Sequence, residues 1–246
     1  PVPKQRVVYD ADEALSAADR IGYPVVIKPL DGNHGRGVTV NITDDETVST
    51  AMQTATMLSR EHPCRIIGVV HGSGRGNPRL DAKVRVGETS AGESLLLRIS
   101  GSLTKHAESV VLPLLLPDSP VVVWWPRGAP KEPSADPIGR LAQRRLTDAE
   151  STGQPVRALW SVAQHYAPGD TDLAWTRLTP WRALLAAAMD QSTGTVENGV
   201  VVAGTGNPVA TLLVAWLEPR LGGPITTTRG DRDQISRVEL HTDQGL

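Results

Sequence analysis

Phenylalanine is missing altogether from this 246-residue sequence, and tyrosine occurs three times against six tryptophans. Without Phe to fill large core volumes, the tryptophans either pack inside or stand at a surface as broad amphipathic contact groups. Cysteine occurs once, at Cys64, which excludes an internal disulfide framework and a cysteine-based zinc site. No apolar run reaches the roughly 18 residues needed to cross a bilayer. The nearest candidate, SVVLPLLLPDSPVVVWWP, is cut by three internal prolines and an aspartate. The opening PVPKQRVVYDADEAL has no apolar central region of the signal-peptide kind. A cytoplasmic protein with no membrane partner is the expectation. An excess of one charge is lacking too: the net charge of −2 gives no general attraction to nucleic acid. The basic spots QRRL and PRGAPK read as solvated surface. Methionine does not open the sequence, so a fragment or a processed chain is expected.

What is present is a globular composition, 39% hydrophobic and 21% charged, long enough for one large domain or two ordinary ones. DADEALSAADRIGY sets Ala11, Ala14, Leu15, Ala18 and Ile21 at helical spacing and stops at Gly22. PVVIKP and VTVNI read as strands on either side of a glycine loop. Thr43 with Glu46 forms a capping-box pattern for a helix running to about Ser59. CRIIGVV, LDAKVRV, SLLLRIS and PVVVWW are strand patterns. A helix is expected from Thr104 to Leu116, kinked or ended early by Pro113, and another in IGRLAQRRL. PVRALWSVAQHY is helical. DLAWTRLTPWRALLAAAMDQ reads as two consecutive helices or one kinked helix, with Thr179 and Pro180 at the break. The tail runs strand (VVVA), helix (NPVATLLVAWLEPRL), then strands (PITTTR and ISRVEL). Alternation of this kind argues an α/β fold: mixed sheets with flanking helices in two α/β subdomains, plus a short N-terminal βα segment.

The stretch YPVVIKPLDGNHGRGV suggests chemistry. Gly32, Gly35 and Gly37 allow backbone N–H groups to curl around an anion, while Lys28 supplies a point charge and Arg36 a second. The same residues also fit a hairpin whose turn needs glycine, with a lysine snorkelling beside it. HGSGRGNPRL joins two strands and lacks a helix N-terminus, so it reads as a surface loop. In VVVAGTGNPVATLL, Asn207 as cap and Pro208 at the first helical position account for the pattern without a ligand. His62, His106 and His165 lie in separate elements with no catalytic motif around them. Cys64 opens a buried strand, where a packed, inert thiol is the ordinary outcome.

Residues 1–45, through VPKQRVV, AADRIGYPVVIKP and DGNHGRGVTVNIT, resemble the start of the ATP-grasp module of cyanophycin synthetase. That resemblance implies that Lys28, Gly32, Gly35, Arg36 and Gly37 cover the phosphates of ATP with magnesium. The later acidic residues and asparagine that hold magnesium in such a module are not recognisable downstream, so complete ligase chemistry is not expected. From about Asp45 onward a second resemblance begins. SREHPCRIIGVV, RLDAKVRVG, HAESVVLPLLLPDSPVVVWWP, DPIGRLAQRRLTDA, YAPGDTDLAWTRLTPWRALLAAAMDQ and LLVAWLEPRLGGPI stand in the order of the OpcA family. Its members assemble and allosterically activate glucose-6-phosphate dehydrogenase and continue beyond the HTDQGL at which this chain ends. The resemblance implies domains at 46–150 and 151–246 and a non-catalytic, protein-binding role with no cofactor. Trp125, Arg144, Arg145, Trp175, Arg177, Trp181 and Arg182 are the candidate partner-binding residues, because Trp and Arg dominate interface hot spots. Core packing for the tryptophans, and ion pairs with Asp148, Asp170 and Asp172 for the arginines, are the alternatives. A fusion with the function of neither parent is a third reading.

Overall fold

The structure, a computed structural model, describes residues 36–42, 45–62, 64–86, 93–191 and 194–244. The PVVIKP strand and the DADEALSAADRIGY helix lie outside the described residues. The chain divides into two compact units, residues 1–128 with 133–146 and residues 129–132 with 147–246. Both are α/β.

In the first unit, β1 (Arg36–Ile42), β2 (Cys64–His71), β4 (Glu93–Ser100) and β5 (Val121–Trp125) are parallel. The edge strand β3 (Arg79–Val86) runs antiparallel to β4. The order across this unit is β3-β4-β2-β1-β5-β6, with β6 at Arg144–Thr147. Strand β2 is buried along nearly its whole length, as expected of a central parallel strand with no polar alternation. Helix α1 (Asp45–Glu61) lays Val48, Ala51 and Ala55 on Val70, Cys64 and Ile66. The Arg65 guanidinium, buried beside the sheet, donates to Glu93 Oε2 at 2.6 Å and to the Leu114 carbonyl at 2.9 Å. That ties β2 to β4 and to the segment beyond.

Two expectations are corrected here. The helix anticipated over Thr104–Leu116 is broken into a 3-10 turn (Gly101–His106), a single α-turn α2 (Ala107–Val111) and a second 3-10 turn (Leu112–Leu114) that contains Pro113. IGRLAQRRL is not a helix either: a 3-10 turn at Gly139–Leu141 gives way to strand β6. The reason is non-local. Gln143 N donates to the Val121 carbonyl at 3.0 Å, and Gln143 Oε1 accepts from Val121 N at 2.6 Å, so β5 captures the segment. Gly139 is needed at that turn, since a Cβ there would overlap the Pro133 carbonyl and press on the Trp125 ring.

The second unit carries a three-stranded sheet, β10-β8-β9. Strands β8 (Val196–Ala203) and β9 (Ile225–Arg229) are parallel, and β10 (Arg237–Thr242) is antiparallel to β8. Between β8 and β9 runs α6 (Pro208–Leu221), whose Val209, Ala210, Leu213 and Leu217 pack on Val201, Ala203 and Ile225. The same core takes in Ala174 and Leu178 from α4 (Leu173–Arg177) and its end, and Leu185 from α5 (Thr179–Gln191). Helices α4 and α5 are separate, the first of the two readings that the Thr179-Pro180 pair left open. The unit also contains α3 (Pro155–Ala163) and the short strand β7 (Asp170–Asp172).

Asn207 caps α6 as its sequence pattern requires. Its Oδ1 accepts from Ala210 N at 2.8 Å, while its Nδ2 donates to the Asp233 carbonyl at 2.7 Å. Gly222, with φ of 74°, closes the other end in the left-handed conformation. Replacing Asn207 with Ala is expected to cost about 1–2 kcal/mol of stability in urea unfolding. Asn207→Asp keeps the cap acceptor and loses only the donor to Asp233, so it should fall between wild type and Asn207→Ala.

Candidate functional site

A surface cluster in the second unit grows from one short polar segment. Asp172 sits just before α4 and caps it, its Oδ1 accepting from Ala174 N at 2.9 Å. Its other oxygen accepts from Thr147 Oγ1 at 2.7 Å and Ala149 N at 2.9 Å, which pins the 147–149 segment to the helix start. Five residues along, Arg177 grips that segment from the other side. Its Nη1 and Nη2 reach the two Asp148 oxygens at 2.8 and 3.1 Å, a bidentate pair, and Glu150 adds a contact at 3.0 Å. The hydrogen bond to Asp148 raises the Arg177 guanidinium above its ordinary value, although partial burial opposes it.

Trp175 projects from the same short helix and remains 37% exposed. The Arg182 guanidinium lies over its ring, 4.1 Å from the centroid, a cation–π stack. Arg182 Nη2 also donates to Thr179 Oγ1 at 2.9 Å, while its Nε is buried with no hydrogen-bond partner. The fold thus brings Trp175, Arg177 and Arg182 into two adjoining α-helices, with the aromatic face already covered by a cation. Trp181 is different: it is half-buried and packs on the core around Leu178 and Leu185. Of the alternatives left by the sequence, core packing describes Trp181 and surface exposure describes Trp175.

The remaining candidates fall in the first unit. Trp125 is only 2% exposed and Arg145 is buried, its Nη1 donating to the Ala142 carbonyl at 2.7 Å. Both are corrected as contact residues, because neither leaves side-chain surface for a partner to touch. The reason is the strand alternation of β5 and β6, which turns Trp125 and Arg145 inward and leaves Arg144 exposed. Trp124 faces the opposite way and packs beside Val48, Ala51 and Val70. Of the nucleotide-loop candidates, Lys28, Gly32 and Gly35 lie outside the described residues. Arg36 and Gly37 begin β1, paired in register with Cys64 and Arg65.

Two exposed aromatic residues escaped the sequence reading: Trp160, 56% exposed on α3, and Tyr166, 66% exposed just after it. A signal for Trp160 existed. On α3, Val156, Leu159 and Val162 form the inward stripe, so Trp160 falls with Arg157 and Gln164 on the outer face. Cys64 is buried, and burial pushes its thiol up, away from the reactive thiolate. Among the described residues no group of three or more His, Cys, Asp or Glu side chains is arranged to hold a metal ion. Likewise, no described helix is long and apolar enough to cross a membrane.

These features define a two-unit α/β protein whose clearest described surface feature is an Arg-covered tryptophan. Residues 55–164 match the family model of the glucose-6-phosphate dehydrogenase subunit N-terminal domain, and residues 168–246 match that of its C-terminal domain. Over these two domains the chain belongs to the OpcA family of glucose-6-phosphate dehydrogenase subunits. Residues 2–64 match a different model, the ATP-binding domain of the carbamoyl-phosphate synthase L chain. Over 61 residues, 24% of this chain, the sequence is 49% identical to cyanophycin synthetase of Geminocystis herdmanii, of which it spans 7%. It is also 36% identical over 66 residues, 27% of its length, to the carbamoyl phosphate synthase large chain of Methanospirillum hungatei, of which it spans 6%. A solved structure titled as trehalose-6-phosphate from E. coli bound with UDP-2-fluoro glucose aligns over 78% of this chain and 64% of its own. At 11% identity and a TM-score of 0.29 it carries no argument.

His71, at the end of β2, gives a pH signature. Burial lowers its pKa from the ordinary value near 6.5, and the Asp136 carboxylate opposes by raising it. A depressed histidine binds its proton more readily in the unfolded chain, so stability increases with pH across the window between the folded and unfolded values. The His71 contribution should therefore be complete above about pH 6.5 and should be lost as pH falls below it. Urea unfolding across that range should show the slope in wild type and a shallower one in His71→Asn.

Proposed function

We propose that this chain is a non-catalytic assembly factor and allosteric effector of glucose-6-phosphate dehydrogenase, acting in the cytoplasm on the oxidative pentose phosphate pathway. The observation that carries the reading is the pair of subunit-domain matches, in order, over residues 55–246. Residues 46–150 and 151–246 are its two domains, and residues 1–45 are an added segment. The mechanism is linkage: a protein that prefers the active oligomer of the enzyme shifts the population toward it, with no chemistry of its own. Trp175, Arg177 and Arg182 form the contact face of the second unit, and Arg144, exposed in the first unit, is a separate partner-binding candidate. A rigid aromatic ring with a cation already stacked on it and a guanidinium held by Asp148 loses little side-chain freedom on binding. Trp181 supports that face from beneath.

Titrating the dehydrogenase with this chain should raise its rate saturably or lower its substrate half-saturation. Arg182→Glu, which unstacks Trp175 and reverses a charge, should weaken co-elution by roughly tenfold or more, a hot-spot-sized loss. Co-elution unchanged by Arg182→Glu would dismiss the contact face, and a flat titration together with no co-elution would dismiss the effector reading.

A second reading rests on the match of residues 2–64 to an ATP-binding domain. In it Lys28, Gly32, Gly35, Arg36 and Gly37 hold the phosphates of ATP with magnesium, as a binding module rather than a complete ligase. Thermal stabilisation by Mg-ATP that disappears in Lys28→Ala is the expected result; no shift at millimolar Mg-ATP would dismiss it. If both functions fail, the chain is a fusion that retains neither.

A further inference from the structure

Among the described residues, the sheet of the first unit ends at β3. Among the described residues, β3 pairs with β4 and has no strand on its other side. Every residue from Arg79 to Arg85 is exposed. Strand alternation puts Leu80, Ala82 and Val84 on one face, and Arg79, Asp81, Lys83 and Arg85 on the other. Beside the charged face, between α1 and the β3–β4 pair, lies a groove of about 530 Å³. Val48, Met52, Met57 and Leu96 give it apolar walls, Lys83 and Arg85 stand along it, and no carboxylate of the described residues lines it. Met57 is 67% exposed there. Arg79 is paired with Asp81 at 2.8 Å, whereas Lys83 and Arg85 are in no ion pair among the described residues. Among the described residues the edge therefore combines backbone groups without a strand partner, an adaptable methionine-lined groove and two cations outside any ion pair.

We propose that β3 and this groove bind an extended acidic segment of a partner protein by strand addition. Main-chain hydrogen bonds to the free edge of β3 supply the affinity. Alternate side chains supply the selectivity: carboxylates on the groove side meet Lys83 and Arg85, and the apolar residues between them cover Leu80 and Val84. Charge singles out this occupant. A second copy of the chain would set the three cations and one carboxylate of its own β3 against the same set, and like charges across a strand pair destabilise it. A nucleic acid brings negative charge but no peptide groups for the edge.

The test uses the intact chain and a fluorescein-labelled peptide of alternating Glu and Val, about ten residues long, a usual strand length. Anisotropy should rise saturably in low salt and less in high salt, because surface charges are screened. Lys83→Glu/Arg85→Glu should weaken binding by roughly tenfold or more, with Lys83→Gln/Arg85→Gln intermediate. Both side chains are exposed, so the far-ultraviolet circular dichroism should not change. A peptide N-methylated at alternate valines, which cannot donate to the edge, should bind roughly tenfold or more weakly. Binding unaffected by the charge reversal, equal binding of the N-methylated peptide, or equal competition by an oligothymidine of the same charge would each overturn the proposal. So would dimerisation through β3 without peptide binding.

Discussion

One carboxylate organises the surface proposed as the contact face. Asp172 accepts three hydrogen bonds, from Ala174 N, Thr147 Oγ1 and Ala149 N. An ionised carboxylate accepts from two backbone N–H groups and a hydroxyl more strongly than a neutral acceptor can. The geometric consequence exceeds the energy. The start of α4 and the 147–149 segment are held at a fixed separation, so Arg177 finds Asp148 and Glu150 within reach and Trp175 is set where Arg182 can cover it. Leu178 is fully buried and anchors the far end of the short helix in the core.

The lack of phenylalanine explains why tryptophan does two jobs in this chain. Trp125 fills first-unit volume against Gly139, while Trp181 and Trp216 pack on the second-unit core. Trp160 and Trp175 stay at the surface. Both lie on helices that turn other residues to the core, Leu159 on α3 and Ala174 on α4. In the proposed contact face, the cation stacked on Trp175 would favour a partner surface that tolerates positive charge.

The two family signatures overlap over residues 55–64, within α1 and at the start of β2. The helix is unbroken from Asp45 into that overlap, where it ends at Glu61, and its buried apolar residues Val48, Ala51 and Ala55 follow one stripe. A strand followed by a helix on one face of a parallel sheet is a unit that many α/β proteins share, so both signatures suit the same local geometry. Coherence at the junction is therefore expected physically.

Local rules determined much of what could be read in one dimension. Asn207-Pro208 wrote the start of α6, Thr179-Pro180 wrote the break between α4 and α5, and the apolar runs wrote β2, β4, β5 and β8. These features depend on caps, fixed φ angles and side-chain periodicity, all of which act within a few residues. The candidate cluster was legible in part, because Trp175, Arg177 and Arg182 are neighbours in sequence. Asp148 and Asp172 stood out only as possible ion-pair partners, and nothing local distinguished Trp125 and Arg145 as interior residues. Tertiary structure decided those points. The QRRL segment became a strand because Val121 offered a backbone edge some twenty residues away, and Asp172 became an organiser because residues 147–149 returned beside it. Pairings across such separations follow from the packing of whole elements, which no local pattern encodes.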